Sequence, residues 1–256
     1  MKAAITLVTL LATPVVADVG PVPRADIFVL GEVHDNPLHH AEQARIVAEV
    51  APSAMVFEML SPAQAEAAMA VDRTDADAVA QVTDWADTGW PDFAMYAPIF
   101  AAAPDAMVVG AAVPRDALVA VMQGGTVDVP DALPEPALDA ATLAMLTQDQ
   151  ADAHCGKLPE EMLPGMVSAQ RLRDAAFGGA AVAAFDATGG PVVLITGTGH
   201  ARTDVGVPAA IRAARPDLTV WALGQLEGAT DPEAPFDAVN VTPVQDRPDP
   251  CAAFAN

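Results

Sequence analysis

Four short runs constrain the fold more than anything else in the chain: Ile27 to Leu30, Ala54 to Phe57, Met107 to Ala111, and Val192 to Ile195. None contains a polar side chain, and the first, Ile27 to Leu30, is bounded by turn-formers. A strand with one wet face alternates apolar and polar. A short run without alternation reads instead as a strand buried on both faces, the pattern of parallel sheets covered by helices. Leu218 to Leu223 reads as a further strand.

Helix starts fall between these runs. Asn36-Pro37 and Ser61-Pro62 each offer a capping side chain followed by proline at the first helical position, where a missing N–H costs nothing. Further helices are predicted over Leu38 to Ala51, from Asp75 to Asp87 on the spacing of Val79, Val82 and Trp85, from about Asp92 through Tyr96, and from Pro114. Gly124 to Pro136 reads as a loop or insertion, followed by a helix to about Ala153. Pro164 to Phe185 is helical in pattern, with Gly178-Gly179 marking a split or kink, and Gly206-Val207-Pro208 opens another helix. The acidic, proline-rich end to Asn256 reads as loosely structured apart from Cys251. The predicted class is α/β: a largely parallel, Rossmann-like sheet with helices on both faces and a helical insertion.

At 256 residues and 52% hydrophobic, the chain suits one sizeable domain, 18–256, behind a leader. That leader is residues 1–17: Lys2, an apolar stretch from Ala3 to Ala12, and small residues ending at Ala17, the layout of a cleavable secretory signal peptide. The stretch is too short to span a bilayer, and no cysteine stands near the cleavage point to carry a lipid anchor. The expected protein is periplasmic and not membrane-anchored. Cys155 and Cys251 are compatible with one disulfide in such a compartment. The net charge of -22, without a basic cluster, argues against nucleic acid as a partner.

Chemistry concentrates directly behind the first strand, in Gly31-Glu32-Val33-His34-Asp35-Asn36-Pro37-Leu38-His39-His40. Glu32 and His34 are predicted on a strand-to-helix turn at the sheet's carboxyl end, where ligands bind in open α/β sheets. Glu58 follows the second strand, and Gly197-Thr198-Gly199-His200 with Arg202 follows the fourth. Glu32, His34, Glu58 and His200 therefore converge on one edge. Together they suit a divalent metal, or, without one, acid/base catalysis as in a hydrolase. The structural alternative is that they cap helices and satisfy buried backbone groups. Of His39 and His40, one reads as a surface residue.

Gly31 to His40, Phe57-Glu58-Met59, Tyr96 to Ile99, His154-Cys155-Gly156, Ala169 to Asp174, and Gly197 to Arg202 with Gly206 to Pro208 occur in an order that resembles the ChaN-type haem-binding proteins of the Tiki and erythromycin-esterase superfamily. The resemblance spans Gly31 to Pro208. It implies a haem-binding α/β protein of the bacterial envelope serving haem or iron acquisition, a homodimer around stacked haems, and an outer-membrane haem receptor as partner. It also implies a tyrosine on iron. Tyr96, the only tyrosine, is the expected ligand, with His34, His200 and Arg202 at the haem edge. Arg202 has an ion pair with Asp204 or Asp35 as its alternative. Relatives elsewhere in the superfamily are hydrolases, so a metal-dependent esterase- or protease-like enzyme is the second expectation. Many ChaN relatives are lipoproteins; this chain lacks the lipidation cysteine.

Overall fold

The structure is a computed structural model that describes residues 19–228, 233–249 and 251–252. The leader predicted over 1–17 lies outside them.

Among the described residues six strands form one sheet: β1 (Ile27–Glu32), β2 (Ala54–Phe57), β3 (Met107–Gly110), β4 (Val192–Gly197), β5 (Val220–Glu227) and β6 (Ala238–Thr242). Their order is β3-β2-β4-β1-β5-β6, and every pairing is parallel. All carboxyl ends therefore lie on one edge. The class predicted from the apolar runs is the one observed.

The same strands feed two cores, which is why they show no alternation. Phe28, Leu30, Met55, Phe57, Val193 and Ile195 face one way. They pack under α1 (Pro37–Val50), α2 (Pro62–Met69), α3 (Ala76–Val82) and α4 (Phe93–Ala102). Ile27, Val29, Val56, Val192 and Leu194 face the other way, against α7 (Leu163–Thr188) and α8 (Val207–Ala214). Each large side chain so buried contributes about 1.5–3 kcal/mol. Two further helices, α5 (Arg115–Met122) and α6 (Ala140–Ala153), pack beside α7.

The predicted caps are present. Asn36 Oδ1 accepts from the Leu38 N–H at 2.9 Å, and Ser61 and Gln64 form a reciprocal capping box. Asp75 and Asp92 cap α3 and α4 in the same way.

Three expectations are corrected. The helix through Gly178-Gly179 runs unbroken from Leu163 to Thr188. Its glycines serve close approach instead: a Cβ on Gly179 would lie 1.9 Å from the Asp131 carbonyl oxygen, and one on Gly178 would lie 2.9 Å from Leu133 Cδ1. The loop over 124–136 is thus seated on α7 where side chains are missing. The carboxyl-terminal region is not wholly irregular, since β6 extends the sheet. Its pattern is inverted, with polar Asn240 and Thr242 buried and Val239 and Val241 half-buried, so its composition hides it. Finally, His39 and His40 are both buried; neither is a surface residue.

The segment after β6 is tied down twice. Arg247 pairs with Asp35 at 2.8 Å and with Glu227 at 2.6 Å, and Cys251 forms a disulfide with Cys155 at the end of α6.

Candidate functional site at the carboxyl edge

Glu32 closes β1, and its carboxylate is buried. Oε1 accepts from the Tyr96 hydroxyl at 2.8 Å and lies 2.9 Å from His34 Nδ1. Oε2 faces His40 Nδ1 at 3.5 Å. His40 Nε2 donates to the His34 carbonyl at 2.8 Å, which fixes the turn that carries His34. Glu32 therefore orients His34 directly, while His40 orients its backbone.

His34 is the exposed member of this group, with about a third of its side chain open, and its ring meets Trp90 edge-on at 4.8 Å. Nδ1 engages Glu32, and Nε2 has no hydrogen-bond partner among the described residues. Gly197 makes room for the ring: a Cβ there would lie 3.0 Å from Nε2. Burial works against the charged imidazole, but the hydrogen bond to Glu32 and the fields of Glu58, Glu32 and Asp35 outweigh it and raise the His34 pKa.

Glu58 stands just beyond β2. Its Oε2 accepts from the Thr196 hydroxyl at 2.7 Å and the Gly197 N–H at 2.8 Å. Oε1 lies 3.8 Å from His200 Nε2. Burial pushes this carboxyl up, yet His200, His34 and the two donors overcome it and hold its pKa below the ordinary value. The position a Cβ of Gly197 would occupy is 3.8 Å from Glu58 Oε2 as well as 3.0 Å from His34 Nε2. The two side chains thus flank one backbone point.

His200 lies on the turn Thr198–Ala201 after β4, buried against the edge of Phe177. Nδ1 is 2.7 Å from Asp174 Oδ1 on α7, and Gln170 Nε2 approaches the same nitrogen at 3.1 Å. Burial lowers the His200 pKa, but Glu58 and Asp174 together raise it. His200 and Asp174 form one hydrogen-bonded couple in the core, with Asp174 itself pushed up to about 6 by burial.

Glu32, His34, Glu58 and His200 thus share one edge. Asp174, Gln170, His40 and Trp90 complete the group and were not singled out as site residues from sequence. Asp174 had a signal: it lies four residues beyond Gln170, on the helix side that also carries Met166 and Arg173.

Two of the expected ligands have partners within the protein. Tyr96 has no exposed surface; its ring packs on His40 and Trp85, and its hydroxyl binds Glu32. Burial and the neighbouring carboxylates hold its pKa well above the ordinary phenol value. Arg202 takes the ion-pair alternative: it pairs with Asp204 and with Asp149 of α6, both at 2.7 Å. Nor is the divalent-metal reading supported. Among the described residues, no three His, Cys, Asp or Glu side chains are grouped to hold a metal ion.

With this geometry in place, comparison with known proteins is decisive at the family level. The profile of the haem-binding uptake proteins, Tiki superfamily, ChaN, matches residues 19–211. The chain belongs to this ChaN family.

Among solved structures, ChaN of Campylobacter jejuni, described with cofacial haem binding, superposes with a TM-score of 0.68 at 18% identity. The match covers 85% of this chain and 88% of that one. At that identity it establishes the ChaN-like fold. The type III effector HopBA1 matches at a TM-score of 0.45 and 13% identity, covering 86% of this chain and 88% of that one. An erythromycin esterase mutant, EreC, in its open conformation matches at 0.45 and 12%, covering 88% and 78%. At those scores neither bears on function. A search of curated protein sequences finds no match. No helix among the described residues of this ChaN-family chain is long and apolar enough to cross a membrane.

Proposed function

We propose that this ChaN-family protein binds haem in the periplasm, after export by its leader, and serves haem or iron acquisition. The family match over residues 19–211 carries the reading. What the chain offers haem is His34: a partly open imidazole beside Trp90, with Nδ1 engaged by Glu32 and Nε2 left for a ligand. Neutral imidazole is an established axial ligand for haem, and a carboxylate on the far nitrogen orients it and raises its basicity. A depression of about 500 Å3 between α1 and α4, lined by Pro37, Ala41, Ala44, Met95 and Pro98 with Asp92 at its margin, supplies a surface for a porphyrin face. We assign iron contact to His34 rather than to Tyr96. When bound, haem supplies the iron chemistry; the protein's residues bind and orient it. A pair of copies around stacked haems, delivering to or receiving from an outer-membrane receptor, completes the proposal.

The test is a haemin titration of residues 18–256, followed by absorbance and size-exclusion chromatography. Saturable binding with a Soret shift, lost in His34→Ala and kept in Tyr96→Phe, is expected. Loss in Tyr96→Phe with full binding by His34→Ala would reverse the assignment, and no saturable binding by the wild type would remove the function.

One observation favours a second reading, a hydrolase without a metal. His200 is oriented through Nδ1 by Asp174 and turns Nε2 toward Glu58, an arrangement suited to activating water. Hydrolysis of an ester or peptide panel that disappears in His200→Asn would support it.

A further inference from the structure

The sheet's first edge is a groove whose lining residues include none of Glu32, His34, Glu58 and His200. Among the described residues β3 is the terminal strand, with β2 as its only neighbour. The Met107 N–H donates to the Ser53 carbonyl at 2.9 Å and the Ala111 N–H to the Phe57 carbonyl at 3.0 Å. Backbone groups alternate along a strand, so the amide and carbonyl groups of Val108 and Gly110 point away from β2, toward the open edge. Neither residue has another backbone hydrogen bond among the described residues.

This edge does not open onto flat solvent. A cavity of about 520 Å3 runs along the whole of Met107 to Ala112. Its walls are the helices that cover opposite faces of the sheet: α2 through Pro62, Ala65 and Met69, and α7 through Ala176, Ala180 and Ala183. The α7 wall presents alanines, so the two layers stand apart where a seventh strand would enter. The loop of Val129 to Asp131 closes one side, seated against Gly179, with Asp131 itself in the left-handed region at φ 60°. Met69 is 43% exposed, an uncovered apolar side chain among the lining residues. The charged residues lining the cavity are Glu66 and Asp131, both exposed and without an ion pair among the described residues.

We propose that this groove binds an extended peptide segment of a partner protein, which adds to β3 as a further strand. Backbone donors and acceptors on the floor recognise the peptide main chain, and small or aliphatic side chains alternate into the α2 and α7 walls. Glu66 and Asp131 favour a segment flanked by lysine or arginine. A bare edge strand is ordinarily covered, charged or kinked to prevent pairing. Here the edge is recessed instead, which admits a single strand and excludes another sheet. The site depends on neither haem nor the carboxyl-edge residues.

The probe is a fluorescein-labelled, end-capped peptide, Lys-Val-Ala-Val-Ala-Lys, titrated into the full mature chain by fluorescence anisotropy. Three controls accompany it: the same peptide N-methylated at alternate amides, its analogue with glutamate at both ends, and dodecyltrimethylammonium as a competitor. Saturable binding is expected, weakened at least tenfold by N-methylation and by the acidic ends. Ala180→Phe, which fills the groove from a half-buried helix position, should abolish binding while the circular dichroism spectrum and melting temperature are retained. Glu66→Lys, on the exposed face of α2, should bring the acidic peptide to at least parity with the basic one. Equal binding of the N-methylated peptide, or displacement by the detergent with no effect of N-methylation, would overturn strand addition and leave an apolar slot for a small amphiphile. Absence of binding, or binding unchanged in both variants, would overturn the site.

Discussion

The Tyr96 hydroxyl donates to Oε1 of Glu32 across 2.8 Å, at a position where neither residue reaches solvent to any useful extent. The phenol lies beneath the site as a support: it holds the carboxylate that holds His34. Removing the hydroxyl in Tyr96→Phe leaves the ring packing and deletes one donor to a buried charge. Destabilisation of about 1–3 kcal/mol is expected from urea denaturation. Haemin affinity should change much less than in His34→Ala.

Gly197 has φ -61°, open to any residue, so its importance is one of space. An added Cβ would sit 3.0 Å from His34 Nε2 and 3.2 Å from Cε1. Gly197→Ala should therefore shift the imidazole with little loss of melting temperature. Haemin affinity should fall roughly tenfold, equivalent to about 1.4 kcal/mol. Unchanged affinity would place the ligand away from His34 Nε2.

His39 sets an acid limit on the fold. Its Nδ1 accepts the Val33 N–H at 2.9 Å, so protonation must break that bond. Burial, opposed in part by Glu227, lowers its pKa from 6.5 to about 4. The folded state binds this proton more weakly than the unfolded chain. The stabilisation is thus present above about pH 6.5 and is lost as the pH falls toward 4, up to about 3 kcal/mol. His34 and His200 run oppositely: their raised values give stabilisation that is complete below 6.5 and fades as the pH rises through them. Urea midpoints from pH 4 to 8 should show the acid limb flattened in His39→Asn.

Gly178 and Gly179 differ in what surrounds them, and their alanine variants should separate. At Gly179 the obstacle is backbone, the Asp131 carbonyl oxygen at 1.9 Å, so Gly179→Ala must lift the loop from α7 and should cost about 2 kcal/mol or more. At Gly178 it is the end of the Leu133 side chain, which can turn away. Gly178→Ala should cost clearly less. Paired thermal melts and proteolysis of the 124–136 loop would compare them.

The features legible in the sequence were those with local causes. Apolar runs without alternation announced strands buried on both faces, and Asn36-Pro37 and Ser61-Pro62 announced helices through capping chemistry that operates within three residues. The convergence of Glu32, His34, Glu58 and His200 followed from parallel strands alone. What escaped required neighbours distant in the chain. β6 hid because its buried side chains are polar, in contact with a network that includes Asn36, His39 and Gln225. Gly178-Gly179 looked like a break because the loop that needs the space lies about 45 residues earlier. Tyr96 is expected on iron from the family resemblance and as the lone tyrosine, whereas the contact of its hydroxyl with Glu32 depends on how α4 packs, which the sequence does not show.

The place of β1 in the sheet governs when this protein can become functional. Ile27 pairs with Val192 on one side and Val220 on the other, so the strand that carries Glu32 finds both neighbours only in the last third of the chain. A growing chain released from its amino end has nothing to close against until β4 appears, and then only from one side. Contacts of such long sequence separation fold slowly. The site therefore belongs to the finished chain: a fragment ending before Val192 would carry Glu32, His34 and Glu58 in its sequence but could not bring them together through this sheet.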